Sequence, residues 1–122
     1  MKGVATQREL DRVLLALADP TRRAILRRLV AGEARVTEIA APFGMSLNAV
    51  SKHIRTLERA RLVRRRRAGR EHFLSFDPEP LGVAATWIEE QRLFWAARLD
   101  ALERALSEPE QSEETGRGAG DG

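Results

Sequence analysis

The sequence has 122 residues, 43% of them hydrophobic and 32% charged, which is the composition of one small globular domain. It contains no cysteine, which excludes disulfides, thiolate metal ligands and thiol redox chemistry. The N-terminal stretch lacks the apolar run of a signal peptide, and no stretch approaches the roughly 20 apolar residues of a membrane span. A cytoplasmic location is therefore expected.

The net charge of +3 conceals a strong segregation of charge along the chain. Residues 1–76 contain 17 Lys or Arg against 7 Asp or Glu, whereas residues 77–122 contain 4 against 11. The stretch from Lys52 to Arg70 has nine basic residues, opposed only by Glu58. This distribution indicates an anionic partner for the first part of the chain. Nucleic acid is the favoured polyanion, although charge alone would also suit a membrane surface.

Apolar residues at helical spacing predict a first helix, whose inner face carries Leu10, Val13, Leu14 and Leu17. Asp19 and Pro20 end this helix and begin a second one, because Asp is a good N-cap and Pro suits the first helical position. The second helix is expected to stop near Gly32.

Two further helices are predicted in the next segment. The third begins at Thr37 as its N-cap and ends at Gly44, and Pro42 limits it to about two turns. The fourth covers about residues 47–60 and is capped by Ser46. Two short helices joined by a turn that contains a glycine form a helix-turn-helix, whose second helix enters the major groove of DNA.

The fourth helix has two faces of different chemistry. Val50, Ile54 and Leu57 share one face and are expected to pack against the third helix. The opposite stripe contains side chains suited to base edges and phosphates, with Asn for adenine and Lys or Arg for guanine or phosphate. The predicted DNA-binding residues of this helix are Ser46, Leu47, Asn48, Ser51, Lys52 and Arg55. The alternative is a solvated polar face on an ordinary helix.

Two short runs, residues 62–67 and 71–76, flank a turn that contains Gly69 and predict a β-hairpin. Period-2 alternation places His72, Leu74 and Phe76 on its inner face. A basic run such as residues 64–67 is common on solvated edge strands, where charges prevent edge-to-edge pairing. Directly after a recognition helix, we favour a wing that lies along the flanking DNA backbone or in the minor groove. The predicted DNA contacts from the wing are Arg65, Arg67 and Arg70.

A long helix is predicted over residues 81–106, and the tail, residues 107–122, is expected to be disordered. The helix carries a heptad seam of Ala85, Ile88, Arg92, Trp95, Leu99, Leu102 and Leu106, with Trp87 and Phe94 on an adjoining stripe. One apolar stripe could pack on the domain and the other on a second copy of the chain, and the alternative is one broad face packed within the monomer. The predicted dimer contacts from this helix are Ile88, Trp95, Leu99 and Leu102.

Three segments, ALADPTRRAILRRL, TEIAAPFGMSLNAVSKHIRTLERARLV and WIEEQRLFWAARLDALERAL, together resemble the ArsR family of bacterial repressors, and specifically its members without a thiolate metal site. The resemblance covers about residues 10–106. It implies a mainly α winged helix-turn-helix of five helices and a small β-hairpin. It also implies dimerisation through the first and last helices, with Leu10, Val13 and Leu14 as the contacts from the first helix. It further implies control of the protein's own promoter. By the same resemblance, Ser46, Asn48, Ser51 and Lys52 belong to the recognition helix.

The sequence departs from this family at two positions. Asn48 stands where many relatives have proline, which changes the contact available to a base at that point. Arg61 stands where a glycine often follows the recognition helix. A residue with a side chain costs about 1 kcal/mol there if the backbone must be left-handed.

Neither a metal site nor an enzyme is expected. The chain has only two histidines, His53 and His72, and neither has an evident nucleophile or ligand partner, so no cofactor is predicted. The sequence thus predicts a DNA-binding domain over residues 1–106 that acts as a homodimeric repressor on double-stranded DNA at a pseudo-palindromic operator. The alternative is a winged-helix module for protein interaction or nonspecific nucleic-acid binding. Whether a small-molecule effector exists is left open.

Overall fold

A computed structural model describes residues 6–107, so the predicted tail lies outside the described residues from position 108 onward. The described chain contains five α-helices and three β-strands, in agreement with the predicted fold class. Their order is α1 (Gln7–Leu17), α2 (Pro20–Val30), β1 (Ala34–Arg35), α3 (Val36–Ala40), a 3₁₀ turn (Ala41–Phe43), α4 (Leu47–Arg59), β2 (Val63–Ala68), β3 (Glu71–Phe76) and α5 (Leu81–Ser107).

The chain divides into two compact units, one that extends to Thr86 and one that begins at Trp87. The first unit holds the helix-turn-helix, the sheet and the first turns of α5, whereas the described part of the second is the remainder of α5. Among the described helices, none is both long enough and apolar enough to cross a membrane.

The starts of α1 and α2 are fixed by side chains that cap them. Thr6 and Glu9 form a capping box on α1, because the Thr6 hydroxyl accepts from the Glu9 N–H at 3.0 Å and the Glu9 carboxylate accepts from the Thr6 N–H at 3.3 Å. The Asp19 carboxylate accepts from the Arg22 N–H at 3.1 Å, and Pro20 is the first residue of α2. The predicted cap at Asp19 is confirmed.

The prediction for the third helix was wrong at both ends. α3 begins at Val36 rather than at Thr37, and its N-cap is Arg35, whose backbone N–H donates to the Glu38 carboxylate at 2.9 Å. The regular helix ends at Ala40 and continues as the 3₁₀ turn that contains Pro42, since proline cannot supply the backbone N–H of an α-helical turn. Gly44 then turns the chain at φ +62°, as the sequence predicted.

The sheet contains one strand more than the predicted hairpin. Its order is β1-β3-β2, and all pairs are antiparallel. β2 and β3 pair in full register from Val63 opposite Phe76 to Ala68 opposite Glu71. β1 adds a two-residue edge to β3, which was not predicted because so short a run has no periodicity to detect.

The core of the first unit is aliphatic and is built from every element that precedes α5. Its fully buried large side chains include the apolar face of α4, as predicted, and Leu74 from the predicted inner face of β3, whose other members His72 and Phe76 are half-buried. They are Val13, Ile25, Ile39, Val50, Ile54, Leu57, Leu62 and Leu74. Phe43 and Phe76 are half-buried and pack against this cluster. The recognition helix is therefore held in one rotational position about its axis.

The end of α4 is closed by a Schellman motif in which Arg61 has a left-handed backbone, with φ +62°. The Arg61 N–H donates to the Glu58 carbonyl at 2.9 Å, and the Leu62 N–H donates to the Leu57 carbonyl at 3.1 Å. Leu62 and Leu57 are both completely buried, which completes the apolar contact of the motif. The geometry that disfavours a side chain at position 61 is therefore present.

We predict that Arg61→Gly raises the free energy of unfolding by about 1 kcal/mol, because glycine adopts a left-handed backbone without the steric cost that Cβ causes. Chemical denaturation of the full-length protein measures this change. Arg61→Ala is the matched control, since it removes the guanidinium and keeps Cβ. An equal gain in Arg61→Ala would attribute the effect to the loss of charge and contradict the prediction.

Candidate nucleic-acid interface

The first turn of α4 is held by Ser46, whose hydroxyl accepts from the Ala49 N–H at 3.1 Å. The cap leaves the other N–H groups of that turn available, and a helix N-terminus with free N–H groups favours a phosphate. The predicted stripe follows from this end. Its side chains are exposed apart from the half-buried Ser51, and they are Leu47, Asn48, Ser51, Lys52 and Arg55.

The opposite face of α4 explains why this stripe points outward. Val50, Ile54 and Leu57 are all 0% exposed, so rotation of the helix about its axis would expose them and bury charges. Lys52 and Arg55 form no ion pair with any residue between positions 6 and 107. Their positive charges are thus available to an external anion.

His53 has a structural environment. Its Nδ1 lies 3.2 Å from the Arg22 guanidinium, which also donates to the carbonyls of Leu15 at 2.7 Å and Ala16 at 3.0 Å. Arg22 therefore caps the C-terminal end of α1 and contacts α4 with the same side chain. The Asp19 carboxylate lies 3.8 Å from His53, and the hydrogen bond from the Arg22 backbone holds the pKa of Asp19 below its usual range. These contacts position the recognition helix and were not found from the sequence.

The arginines of the hairpin differ in their partners. Arg64 donates to Asp77 at 2.8 Å, and Arg66 donates to Glu33 at 2.8 Å while its guanidinium lies 4.6 Å from the Phe73 ring centroid. The hydrogen bond from Arg66 lowers the pKa of Glu33. These arginines are neutralised within the chain, and they are the ones that the sequence analysis left out of the predicted interface.

Arg67 and Arg70, at the tip of the hairpin, have no carboxylate partner of this kind. Both are exposed, and neither has an ion-pair partner within the part of the chain that the structure describes. Arg67 makes one long hydrogen bond, of 3.4 Å, to the Gly69 carbonyl, and Gly69 turns the hairpin at φ +65°. The tip of the wing therefore carries two cations that are free to contact an anion.

Arg65 differs from its predicted role as a free DNA contact. Its guanidinium forms two hydrogen bonds to the Glu58 carboxylate, at 2.9 and 3.0 Å, and lies 3.2 Å from Nδ1 of His72. The bond to Glu58 raises the pKa of Arg65. Because Glu58 belongs to α4 and Arg65 to β2, this two-pronged pair joins the recognition helix to the wing. Glu58 is the one acidic residue between Lys52 and Arg70, so the sequence alone could have indicated it as an ion-pair partner for one of the nearby arginines.

A notch of about 300 Å³ separates the recognition helix from the wing. Leu47 and Ser51 line it from α4, and Arg65 and Arg70 line it from the hairpin. Glu71 also borders the notch, and its carboxylate accepts from Arg35 at 2.8 Å. The structure thus brings four of the predicted DNA-binding residues together around one concave surface.

The predicted dimer residues fall into two classes. Leu10 and Val13 are 6% and 2% exposed, Val13 packs in the core of the first unit, and Leu14 is half-buried against that core. Leu10 and Val13 therefore have almost no surface to offer a partner, which corrects their assignment as direct contacts. The residues from α5 are largely exposed, and they are Ile88, Trp95, Leu99 and Leu102.

Within residues 6–107, no group of three or more His, Asp or Glu side chains is arranged to hold a metal ion. His53 and His72 are both half-buried, and each contacts an arginine. These contacts give both histidines a role in packing.

Comparison with known proteins identifies relatives that are transcriptional regulators. Residues 17–66 match the family model of a helix-turn-helix domain. The HTH-type transcriptional regulator Rv2034 of Mycobacterium tuberculosis is 41% identical over 96 residues, which cover 79% of this chain and 87% of that protein. The transcriptional repressor SdpR of Bacillus subtilis is 30% identical over 79 residues, which cover 65% of this chain and 88% of that protein.

Solved structures share the fold. The crystal structure of an ArsR family transcriptional regulator superposes with a TM-score of 0.71 at 39% identity and covers 76% of this chain and 96% of its own. An ArsR-like transcriptional regulator from Rhodococcus sp. RHA1 gives a TM-score of 0.70 at 31% identity, and the match covers 83% of this chain and 95% of that one. The five helices and the hairpin form a winged helix-turn-helix, and this chain belongs to the ArsR family of DNA-binding transcriptional regulators.

Proposed function

We propose that this protein is a homodimeric repressor that binds a pseudo-palindromic operator in duplex DNA and excludes RNA polymerase from a promoter that the operator overlaps. The observation that carries the proposal is the surface formed by α4 and the wing tip. Four unpaired cations border it within the described chain, on the two elements that a winged helix presents to DNA. They are Lys52, Arg55, Arg67 and Arg70.

Each element then has a separate role at the operator. Asn48 and Ser51 are placed to read base edges in the major groove, where Asn pairs with adenine in a bidentate manner. Lys52 and Arg55 contact phosphates beside the helix, and the N-terminus of α4 at Ser46 receives another phosphate. Leu47 offers an apolar contact to a thymine methyl group.

The wing contributes cations that bind DNA without distinguishing between bases. Arg67 and Arg70 lie along the flanking backbone or in a narrow minor groove, where the potential favours arginine. Arg65 acts from behind these residues, because its bond to Glu58 fixes the distance between the wing and the recognition helix. In this proposal the assignment of Arg65 changes from DNA contact to positioning residue.

Dimerisation is inferred from α5. Of the residues described in this 27-residue helix, only Ala84 is buried, and Leu99 is 61% exposed. An apolar helix surface of this size requires a cover in water, and the heptad seam favours a second copy of the same helix. A two-fold dimer matches an inverted repeat in its operator. Repression is the activity named for the relative SdpR, and control of the protein's own promoter is implied by the family resemblance.

Selection from sheared genomic DNA tests the function as a whole. We expect the protein to enrich a few fragments that share an inverted repeat, with half-sites about one helical turn apart. Sequencing of the recovered fragments measures the enrichment. Uniform recovery would contradict sequence-specific reading. Recovery that does not depend on salt would favour the alternative, a protein-interaction module, because phosphate contacts weaken steeply as salt rises.

Two substitutions on α4 separate affinity from specificity. Lys52→Ala should weaken binding to all sequences and reduce the salt slope by about one, since a phosphate contact carries no base information. Asn48→Ala should instead lower the discrimination between operator and random DNA by about 1–3 kcal/mol. Binding isotherms at several salt concentrations measure both effects.

Arg27→Ala on α2 serves as the charge-matched control for Lys52→Ala and should bind as the parent does. If Asn48→Ala discriminated as well as the parent, the reading face would be misassigned.

We predict that Leu99→Glu converts the dimer to a monomer, because a charge in the apolar seam is desolvated without a partner. Ala97→Glu adds the same charge about 160° around the helix and should remain dimeric. Sedimentation velocity at micromolar concentration measures both states. If both variants are monomeric, or if the parent itself is a monomer, the proposed seam is wrong.

A further inference from the structure

A second cavity lies in the first unit, away from the notch beside the wing. It has a volume of about 360 Å³ and is formed by α1, the end of α4 and the segment that leads into α5. Small-molecule sites begin at about 300 Å³, so the cavity has room for a compact organic ligand. We call it the arginine pocket, because its charged rim is formed by Arg8, Arg12, Arg59 and Arg61.

The rim carries an excess of positive charge. Its four arginines are exposed, and none of them forms an ion pair with a residue that the structure describes. The rim also contains two carboxylates. They are Glu9 and Glu79, and they leave the four arginines with an excess of two positive charges. The pocket therefore favours an anion.

Apart from Thr6, the remaining residues of the lining are apolar. Val13 and Ala60 are buried, and Pro80 and Val83 are half-buried. A cationic rim above an apolar lining fits an amphipathic ligand, with an acid group at the arginines and a hydrocarbon or aromatic body below. An inorganic ion would leave the apolar part of the cavity without a contact.

The pocket is separate from the surface that reads DNA. Asn48 and Arg59 are 11 residues apart on α4, which corresponds to about 16 Å along the helix axis at 1.5 Å per residue. The stripe that faces DNA occupies the first half of α4, and the arginine pocket uses its last residue and the cap beyond. One ligand can therefore occupy the pocket independently of DNA.

Arg61 supplies an independent observation. It is the one described residue other than glycine with a positive φ, at +62°, and it lines the pocket at the cost of a strained backbone. Strain of this kind is often retained at ligand sites, where the side chain rather than the backbone is required. Glycine would satisfy the Schellman motif without strain but would remove a guanidinium from the rim.

We propose that the arginine pocket binds a small organic acid, with its carboxylate held by Arg12 and Arg61 and its apolar body against the half-buried Pro80 and Val83. The ligand contacts α1 and the cap of α4 at the same time. It therefore stabilises the folded first unit, since a ligand that binds only the native state raises its stability.

Isothermal titration calorimetry with 2-naphthoate, on the full-length protein without DNA, tests this site. We expect saturable binding of one molecule per chain. The neutral analogue 2-naphthamide has the same apolar body and should bind at least about tenfold more weakly, because it forms no charge-assisted hydrogen bond with the rim. Equal binding of the acid and the amide, or no binding of the acid, would overturn the proposal.

Variants identify the location. Arg12→Gln and Arg61→Gly should each weaken the binding of 2-naphthoate about fivefold or more, since each removes a charged donor. Arg27→Gln lowers the net charge equally, lies outside the pocket, and should bind as the parent does. An equal loss in Arg27→Gln would show a nonspecific charge effect and overturn the proposal.

Arg61→Gly is informative because it is expected to unfold less readily than the parent. A loss of binding in that variant therefore cannot result from a loss of folded protein. Because the measurement contains no DNA, its outcome is also independent of the proposed repressor function.

Discussion

Val50, Ile54 and Leu57 are completely removed from solvent along one side of α4, and the orientation of the whole recognition surface depends on this contact. Burial of three such side chains contributes about 5–8 kcal/mol, which exceeds what any exposed polar contact on the other side could supply. The helix therefore cannot rotate to follow its polar residues. Asn48 and Lys52 point outward because the apolar side points inward. The apolar residues of α4 therefore determine the orientation of the recognition face more than the polar residues on that face do.

Ion pairing then gives different roles to the arginines of one uniform basic stretch. The run from Arg64 to Arg67 is the same residue four times, yet Arg64, Arg65 and Arg66 each have a carboxylate partner and Arg67 has none within the described residues. The partners are Glu33 in the loop after α2, Glu58 in α4 and Asp77 after β3. Ion pairs therefore connect the hairpin to three neighbouring segments. Within the hairpin, only the tip keeps cations that have no ion-pair partner among the described residues. A flexible wing would lose more entropy on contact with DNA, and these internal pairs reduce that cost.

The sequence predicted the features that local chemistry determines, and missed those that depend on distant partners. The caps at Asp19 and Ser46 and the apolar face of α4 follow from residue type and spacing within a few positions. The pair between Arg66 and Glu33 joins residues 33 positions apart, and the contact between Arg22 and His53 joins residues 31 apart. No periodicity reports such contacts. β1 was missed for a related reason, since a two-residue strand exists only because β3 lies beside it. The same limitation affected the interface, where Leu10 and Val13 have the helical spacing of contact residues but are already buried within their own chain.

The proposed dimer connects the stability of α5 to the recognition of DNA. An isolated helix is marginal in water unless an apolar face is covered, and the described part of α5 beyond Thr86 has large apolar side chains exposed along its length. In the proposed assembly a second copy provides the cover, so α5 is stabilised by the same association that places two recognition helices on one operator. Association depends on concentration, and two half-sites bind together far more tightly than either alone. Occupancy of the operator would then rise more steeply than in proportion to the amount of protein, which gives a repressor of its own promoter a sharp threshold without any ligand. A ligand in the arginine pocket would act on a different quantity, the stability of the first unit.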